Sequence, residues 1–398
     1  MIVLTRPMHT VHIDEIGTTR VTLTQAEALA LRGLDVCTVE PTEEPQVWLV
    51  SDVSKVGSVV VGDSTVMIRP KVPLRNLVFM ASVGAVHTSL LDANLMVDED
   101  AGLPSALASA LIAAVEGATR QGLVKGYREE RQTALIVRGR WDIARQLNSR
   151  PGMPIPLALV VDEFTEDIYE NRILHTALRR VLRFADLSDD LCRRANALLV
   201  LFSEVGVLPV GISIRLPSAT RQTRYLQFPL QIARAILNAT SFAQVSGLHR
   251  AGTVLVEPAH LFERFVGRGL ARTLSPHRYD VDLQDRSSWF DDGRRIPLRP
   301  DIVLRVMGEP VAVADTKYKS WGANDGSPPN ADIYQAVAYA LAFGLRRAHL
   351  IYASGEVEPR TYSIPMAGVD IVAHAVSLHG TPIELVQMLD RLAHELLA

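Results

Sequence analysis

Arg299-Pro300-Asp301-Ile302-Val303-Leu304, followed fourteen residues after Asp301 by Asp315-Thr316-Lys317, decides the reading of this chain. Two short apolar runs, Ile302–Val306 and Val311–Ala314, flank the turn Met307-Gly308-Glu309-Pro310. That is the pattern of paired strands, and it delivers two carboxylates and a lysine to one place. Two carboxylates can share a hard cation, and an ammonium beside them suits the cutting of a phosphodiester. A lone Asp-x-Lys is also what a solvated strand end looks like.

Lysine is scarce here. Of 41 Lys and Arg residues only Lys55, Lys71, Lys125, Lys317 and Lys319 are lysines, and two of the five directly follow Asp315. A planar guanidinium cannot replace a compact ammonium that shares a proton, so Lys317 reads as kept for its chemistry. Farther along, Gln335 and Tyr339 stand four apart and share one helix face, with Asp332 in the first turn. Glu263 lies among apolar neighbours of a helix expected over Pro258–Leu274, where completing a metal site and facing water are equal readings. Arg264, Arg268 and Arg272 recur at i, i+4 and i+8 on that helix, a stripe suited to a DNA backbone or to solvent.

The rest of the chain sets the frame. At 398 residues it has room for two or three cores, and 48% hydrophobic with 21% charged residues describes an ordinary globular protein. The net charge of −3 hides a middle third, 126–250, whose basic excess makes it the place for acidic partners. Cys37 and Cys192 form neither a disulfide framework nor a metal spacing. With no signal-like start and no apolar run of membrane length, a cytoplasmic location is expected. Phosphate-loop, H-E-x-x-H, C-x-x-C and G-x-S-x-G patterns are missing, so no nucleotide should be bound or hydrolysed by this chain, and zinc is not expected.

Three regions are expected: a β-rich stretch over 1–85, a mainly helical stretch over 86–250, and a last domain over 251–398. The last reads α-β-β-β-α-β and then a helix opened by the capping box Thr381-Pro382-Ile383-Glu384. The fold class is therefore α+β or α/β, multidomain.

Pro300-Asp301, Asp315-Thr316-Lys317 and Gln335-x-x-x-Tyr339, in that element order, resemble the PD-(D/E)XK nuclease superfamily and its Q-x-x-x-Y branch of RecB-like nucleases. Further segments resemble the McrC family: Ile68-Arg69-Pro70-Lys71-Val72 with Asn76-Leu77, then Gly139-Arg140-Trp141-Asp142, then Glu163-Phe164-Thr165-Glu166-Asp167 with Asn171-Arg172-Ile173-Leu174. Leu261-Phe262-Glu263-Arg264-Phe265-Val266 and Asp315-Thr316-Lys317-Tyr318-Lys319 complete the likeness. Trp141 and His175 depart from it, where Ile and Lys are usual.

The resemblance implies the nuclease subunit of a 5-methylcytosine-specific McrBC-type restriction system. That subunit works with a McrB-like AAA+ GTPase hexamer, stimulates its GTP hydrolysis through the N-terminal region, and cleaves DNA with the C-terminal domain. Asp301 and Asp315 would ligate Mg²⁺, for which Mn²⁺ can substitute, with the Thr316 carbonyl and Glu263 completing the protein share. Lys317 would orient the attacking water, and Gln335 and Tyr339 would position Lys317 or the DNA. Arg264, Arg268, Arg272 and Lys319 are the DNA-binding candidates, and Arg138 and Arg140 those for the GTPase contact. A stand-alone RecB-like nuclease and a non-cleaving activator of the ring stay open as alternatives.

Overall fold

The computed structural model describes residues 9–82, 102–185, 187–209, 211–245, 252–286, 288–319, 321, 327–355 and 358–397. Both boundaries expected from the sequence, near 85 and near 250, fall outside these residues. The chain opens with β1 (His9–Asp14), β2 (Thr19–Thr22), α1 (Gln25–Arg32), β3 (Thr38–Pro41), β4 (Val47–Ser51), β5 (Val56–Val61), β6 (Ser64–Arg69), α2 (Leu74–Ser82) and α3 (Gly102–Ala118). It continues with β7 (Gly126–Ala134), β8 (Arg140–Trp141), α4 (Ile143–Ser149), β9 (Leu157–Thr165), α5 (Tyr169–Val181), α6 (Asp189–Leu201) and α7 (Gln227–Val245). The last stretch holds β10 (Val254–Val256), α8 (Pro258–Leu274), β11 (Asp280–Leu283), β12 (Ile302–Val306), β13 (Glu309–Lys317), α9 (Asn330–Ala342), β14 (Arg347–Tyr352), β15 (Arg360–Ile364), β16 (Val369–Ala375) and α10 (Pro382–Glu395). No helix among the described residues is long and apolar enough to cross a membrane.

Mixed α and β elements form two compact units, one joining residues 1–106 to 252–398, the other spanning 107–251. The sequence division sets 1–85 apart from 251–398, whereas the structure groups them. The reason is a shared sheet, β1-β6-β5-β10, whose last strand comes from beyond residue 252. Gly57 permits that pairing. Its φ is +128°, and a Cβ there would stand 2.1 Å from the Val254 carbonyl oxygen. A small antiparallel sheet, β2-β4-β3, and α1 lie in the same unit. Thr24 caps α1 and Glu27 returns the bond, a complete capping box.

The six-stranded sheet β11-β12-β13-β14-β16-β15 is the centre of this unit. β11, β12 and β13 are antiparallel, while β13, β14 and β16 run parallel. A parallel neighbour needs a crossover, and α9 supplies it between β13 and β14. Ala336, Tyr339 and Ala340 of α9 pack onto Val303, Val313, Leu350, Tyr352, Ile371 and Ala373. α8 lies against α10 so closely that a Cβ at Gly269 would meet Leu389 at 2.3 Å.

In the second unit α5 and α7 are packed partners. The stretch expected to be mainly helical also carries a three-stranded sheet, β7-β9-β8, with nine registered pairs between β7 and β9. Its strand Gly-Tyr-Arg-Glu-Glu-Arg-Gln-Thr-Ala has no buried residue, so no apolar alternation marks it.

Candidate active site

The register Ile302↔Ala314, continued by one residue, sets Asp301 across from Asp315. Lys317 follows Asp315 by two and so leaves the sheet on the same face. Asp301 Oδ2 accepts two hydrogen bonds from Thr316, from its N–H at 2.8 Å and its hydroxyl at 2.7 Å. Asp315 has a side chain 4% exposed, and its Oδ2 forms an ion pair with Lys317 Nζ. That oxygen is buried and accepts no well-formed hydrogen bond.

From Lys317 a chain of bonds runs through α9 and back. Lys317 Nζ donates to Gln335 Oε1 at 2.8 Å, Gln335 Nε2 donates to the Tyr339 hydroxyl at 2.8 Å, and that hydroxyl donates to the Arg299 carbonyl at 3.1 Å. An ammonium can only donate, and this fixes which way the Gln335 amide faces. The loop thus closes two residues before Asp301. All five residues expected to be catalytic meet in it.

Burial, then the Asp301 charge, pushes Asp315 up to about 6, against the opposing pull of Lys317. Asp301 is raised as well, by burial first, although the Thr316 hydrogen bonds act the other way. Burial and the Asp315 charge push Tyr339 up to about 12, so its hydroxyl keeps its proton. Two desolvated carboxylates side by side hold a proton more tightly than usual, and a hard cation competes for the same place.

Other expected residues sit differently. Glu263 accepts from Gln284 Nε2 at 2.7 Å and has His260 at 3.5 Å. Asp301 senses its charge, yet no group of three or more His, Cys, Asp or Glu able to hold a metal forms among the described residues. Thr316 is brought in through its N–H and hydroxyl. Lys319 pairs with Asp332 at 2.8 Å, and the Tyr352 hydroxyl donates to the same carboxylate at 2.7 Å. Asp332 is therefore a buried anchor for Lys319, a role that its first-turn position did not signal.

The arginine stripe is not a single solvated face. Arg264 is half-buried, and burial with the nearby Arg268 charge pushes it down to about 10. Burial lowers Arg268 too, and Arg272 pairs with Asp390 of α10 at 2.9 Å. In the second unit Arg138 is exposed in the β7–β8 connection, and Arg140 faces Glu129 at 3.7 Å across well-solvated surface.

The family model described as McrBC 5-methylcytosine restriction system component matches residues 51–353. Among solved structures, a chain of the refined half-complex from a tetradecameric assembly of Thermococcus gammatolerans McrB AAA+ hexamers with bound McrC is similar at 16% identity, over 97% of this chain and 99% of that one, with a TM-score of 0.56. A chain of the Thermococcus gammatolerans McrBC complex is similar at 16% identity, over 67% of this chain and 88% of that one, with a TM-score of 0.37. A comparison with curated proteins gives no match. At such identity the first likeness speaks for a shared fold.

Proposed function

Since the chain belongs to the McrBC 5-methylcytosine restriction system component family, we propose that it is the DNA-cutting, McrC-like subunit of a modification-dependent restriction system. In this reading the unit around the six-stranded sheet is a PD-(D/E)XK-type nuclease domain. One observation carries the proposal: the closed hydrogen-bonded loop that gathers Asp301, Asp315, Lys317, Gln335 and Tyr339 around two desolvated carboxylates.

The residues fit a Mg²⁺ ion. The donors are all oxygen, Asp315 Oδ2 is a buried acceptor whose partner among the described residues is the Lys317 ammonium, and Mg²⁺ usually takes only one or two carboxylates from protein. Asp301 and Asp315 would hold it, with Glu263 the next carboxylate at hand. When bound, Mg²⁺ lowers the pKa of a water and stabilises charge on the phosphoryl oxygens. Thr316 orients Asp301 through two hydrogen bonds. Lys317 has three N–H donors, and its partners among the described residues are Asp315 and Gln335. The third N–H is left to orient the attacking water or to meet a phosphate oxygen. Gln335 and Tyr339 keep that ammonium aimed.

The partner proposed is a McrB-like AAA+ GTPase ring, in keeping with the related assembly of McrB hexamers with bound McrC. Leu135, Ile136 and Val137 are 72%, 70% and 64% exposed at the β7–β8 turn, beside Arg138 and Arg140. An apolar tip of this kind marks a protein contact. The test uses the full chain with its GTPase partner, GTP, Mg²⁺ and methylated duplex DNA. Asp301→Ala and Lys317→Ala should each slow cleavage at least about a hundredfold while GTP hydrolysis stays stimulated. Wild-type cleavage by folded Asp301→Ala protein sinks the assignment. Nucleotide-independent cutting by the chain alone would favour a free-standing RecB-like nuclease.

A further inference from the structure

The signature segment Ile68–Val72, with Asn76 after it, takes no part in the chemistry above. Two of its polar side chains, Lys71 and Asn76, end on main-chain carbonyls of the C-terminal stretch. Asn76, fully buried on α2, donates through Nδ2 to the Leu378 carbonyl at 2.6 Å and the Gly380 carbonyl at 2.9 Å. Lys71 Nζ donates to the Tyr318 carbonyl at 3.3 Å and lies 3.9 Å from the centre of the Tyr318 ring. The Lys71 N–H donates to Glu15 Oε2 at 2.7 Å, so the ends of β1 and β6 are joined where the lysine departs. The buried Tyr318 hydroxyl has no well-formed hydrogen bond, only the Glu15 carboxylate beside it.

Tyr318 is held from a second side by Phe262 of α8, with ring centres 6.1 Å apart. Phe262 is the neighbour of Glu263, and Tyr318 is the neighbour of Lys317. β13 ends at Lys317, whose carbonyl accepts from Ala353 N–H at 2.9 Å. Tyr318 is the first residue past the strand, and its carbonyl is held by Lys71. The backbone that carries the Lys317 side chain is therefore fixed from the sheet on one side and from the β1/β6 end on the other. Lysine at this place, in a chain that otherwise prefers arginine, suits a contact in which a compact ammonium sits between a carbonyl and a ring face.

We propose that Lys71 is a positioning residue for cleavage: through Tyr318 it sets the backbone beneath Lys317 and so ties the N-terminal sheet to the site. The inference rests on the nuclease reading of Lys317. It is tested with the full chain and its GTPase partner at saturating methylated DNA and Mg²⁺. Lys71→Met should lower kcat roughly tenfold to a hundredfold, the cost of a small misplacement. KM for DNA and stimulation of GTP hydrolysis should stay unchanged, with the melting temperature above that of the assay. Lys71→Arg, which can still donate to the carbonyl and lie over the ring, should recover part of kcat.

Gln335→Ala should lower kcat too, and the double variant should fall no further than the worse single one, because both act through Lys317. Wild-type kcat in Lys71→Met, a loss that tracks unfolding, or losses that multiply with Gln335→Ala overturn the proposal. If Lys71→Met does not fold, Lys71→Gln, with its shorter reach, carries the same comparison. Asp301→Ala is run beside them. If it cuts like wild type, the nuclease reading has failed, and that outcome is separate from any result at Lys71.

Discussion

Asp167 in the second unit and Asp315 in the first are the same residue in opposite circumstances. Asp167 Oδ1 accepts from Arg172 Nε at 2.6 Å and from Gly206 N–H at 2.8 Å. Its Oδ2 accepts from Arg172 Nη2 at 2.6 Å and from the Arg128 guanidinium. Those bonds, Arg172 first, hold it well below the usual carboxylate range. Asp315 has one ion-pair partner and a neighbouring negative charge, and burial pushes it upward. A carboxylate with every lone pair engaged braces a fold, and one left short of partners in a desolvated place is available to a cation.

Stability measurements can break this contrast. Asp167→Asn should cost about 1–3 kcal/mol in urea unfolding, because two guanidinium groups lose their counter-charge at a partly solvated site. Asp315→Asn, in chelator, should cost nothing or stabilise, since it removes a desolvated charge set against Asp301. If Asp315→Asn proves the more damaging of the two, Asp315 is a brace and the site has been misread.

That the residues of the candidate site would be brought together was legible because the rules that group them are local. Strand alternation puts Asp315 and Lys317 on one face, a hairpin-length turn returns Asp301 to them, and an i, i+4 spacing aligns Gln335 with Tyr339. What escaped was non-local or lacked a pattern. Arg272 belongs to a regular stripe, yet its partner Asp390 lies 118 residues away. The bond from Lys71 to Tyr318 spans 247 residues. β7 and β9 pair over nine residues, but β7 has charged side chains on both faces and its turn is open to solvent, so no core face declares the strand. The division into units escaped for a similar reason, since three residues of β10 place the C-terminal stretch on the N-terminal sheet.

The same contrast extends to bases. His349 and His374, on adjacent strands, are buried with His349 Nδ1 3.0 Å from His374 Nε2, and His374 Nδ1 3.0 Å from Glu395 Oε2. Glu395 accepts, so each imidazole passes its Nδ1 proton outward along the chain. Burial, then the charges of His374 and Arg347, pushes His349 down to about 3, and burial lowers His374 against the pull of Glu395. A histidine depressed in the folded state takes up its proton on unfolding. Its contribution is complete above the ordinary value of 6.5 and is lost as pH falls toward 3. His349→Asn should therefore lose less stability than wild type between about pH 7 and pH 5, by roughly 2 kcal/mol over that window. An unchanged loss would show that His349 is charged in the fold and that this cluster, like Asp167, is fully compensated.

The smallest effect expected is at Arg272, and it sharpens the distinction between a braced charge and an available one. Because Arg272 is joined to Asp390 at 2.9 Å, and Thr273 donates to the same carboxylate at 2.5 Å, moving the guanidinium to a phosphate would leave Asp390 uncompensated. Half-buried Arg264 has no such ion pair among the described residues, and its lowered affinity for protons reflects burial beside Arg268. A phosphate would relieve that repulsion. In a salt titration of DNA binding, every phosphate that the protein ceases to neutralise reduces the slope of log K against log salt by about 0.9. Arg264→Ala should show a drop of that order, whereas Arg272→Ala should leave the slope within error of wild type. The reverse result would mean that the i, i+4, i+8 spacing, and not the pairing found in the fold, identifies the groups that meet DNA.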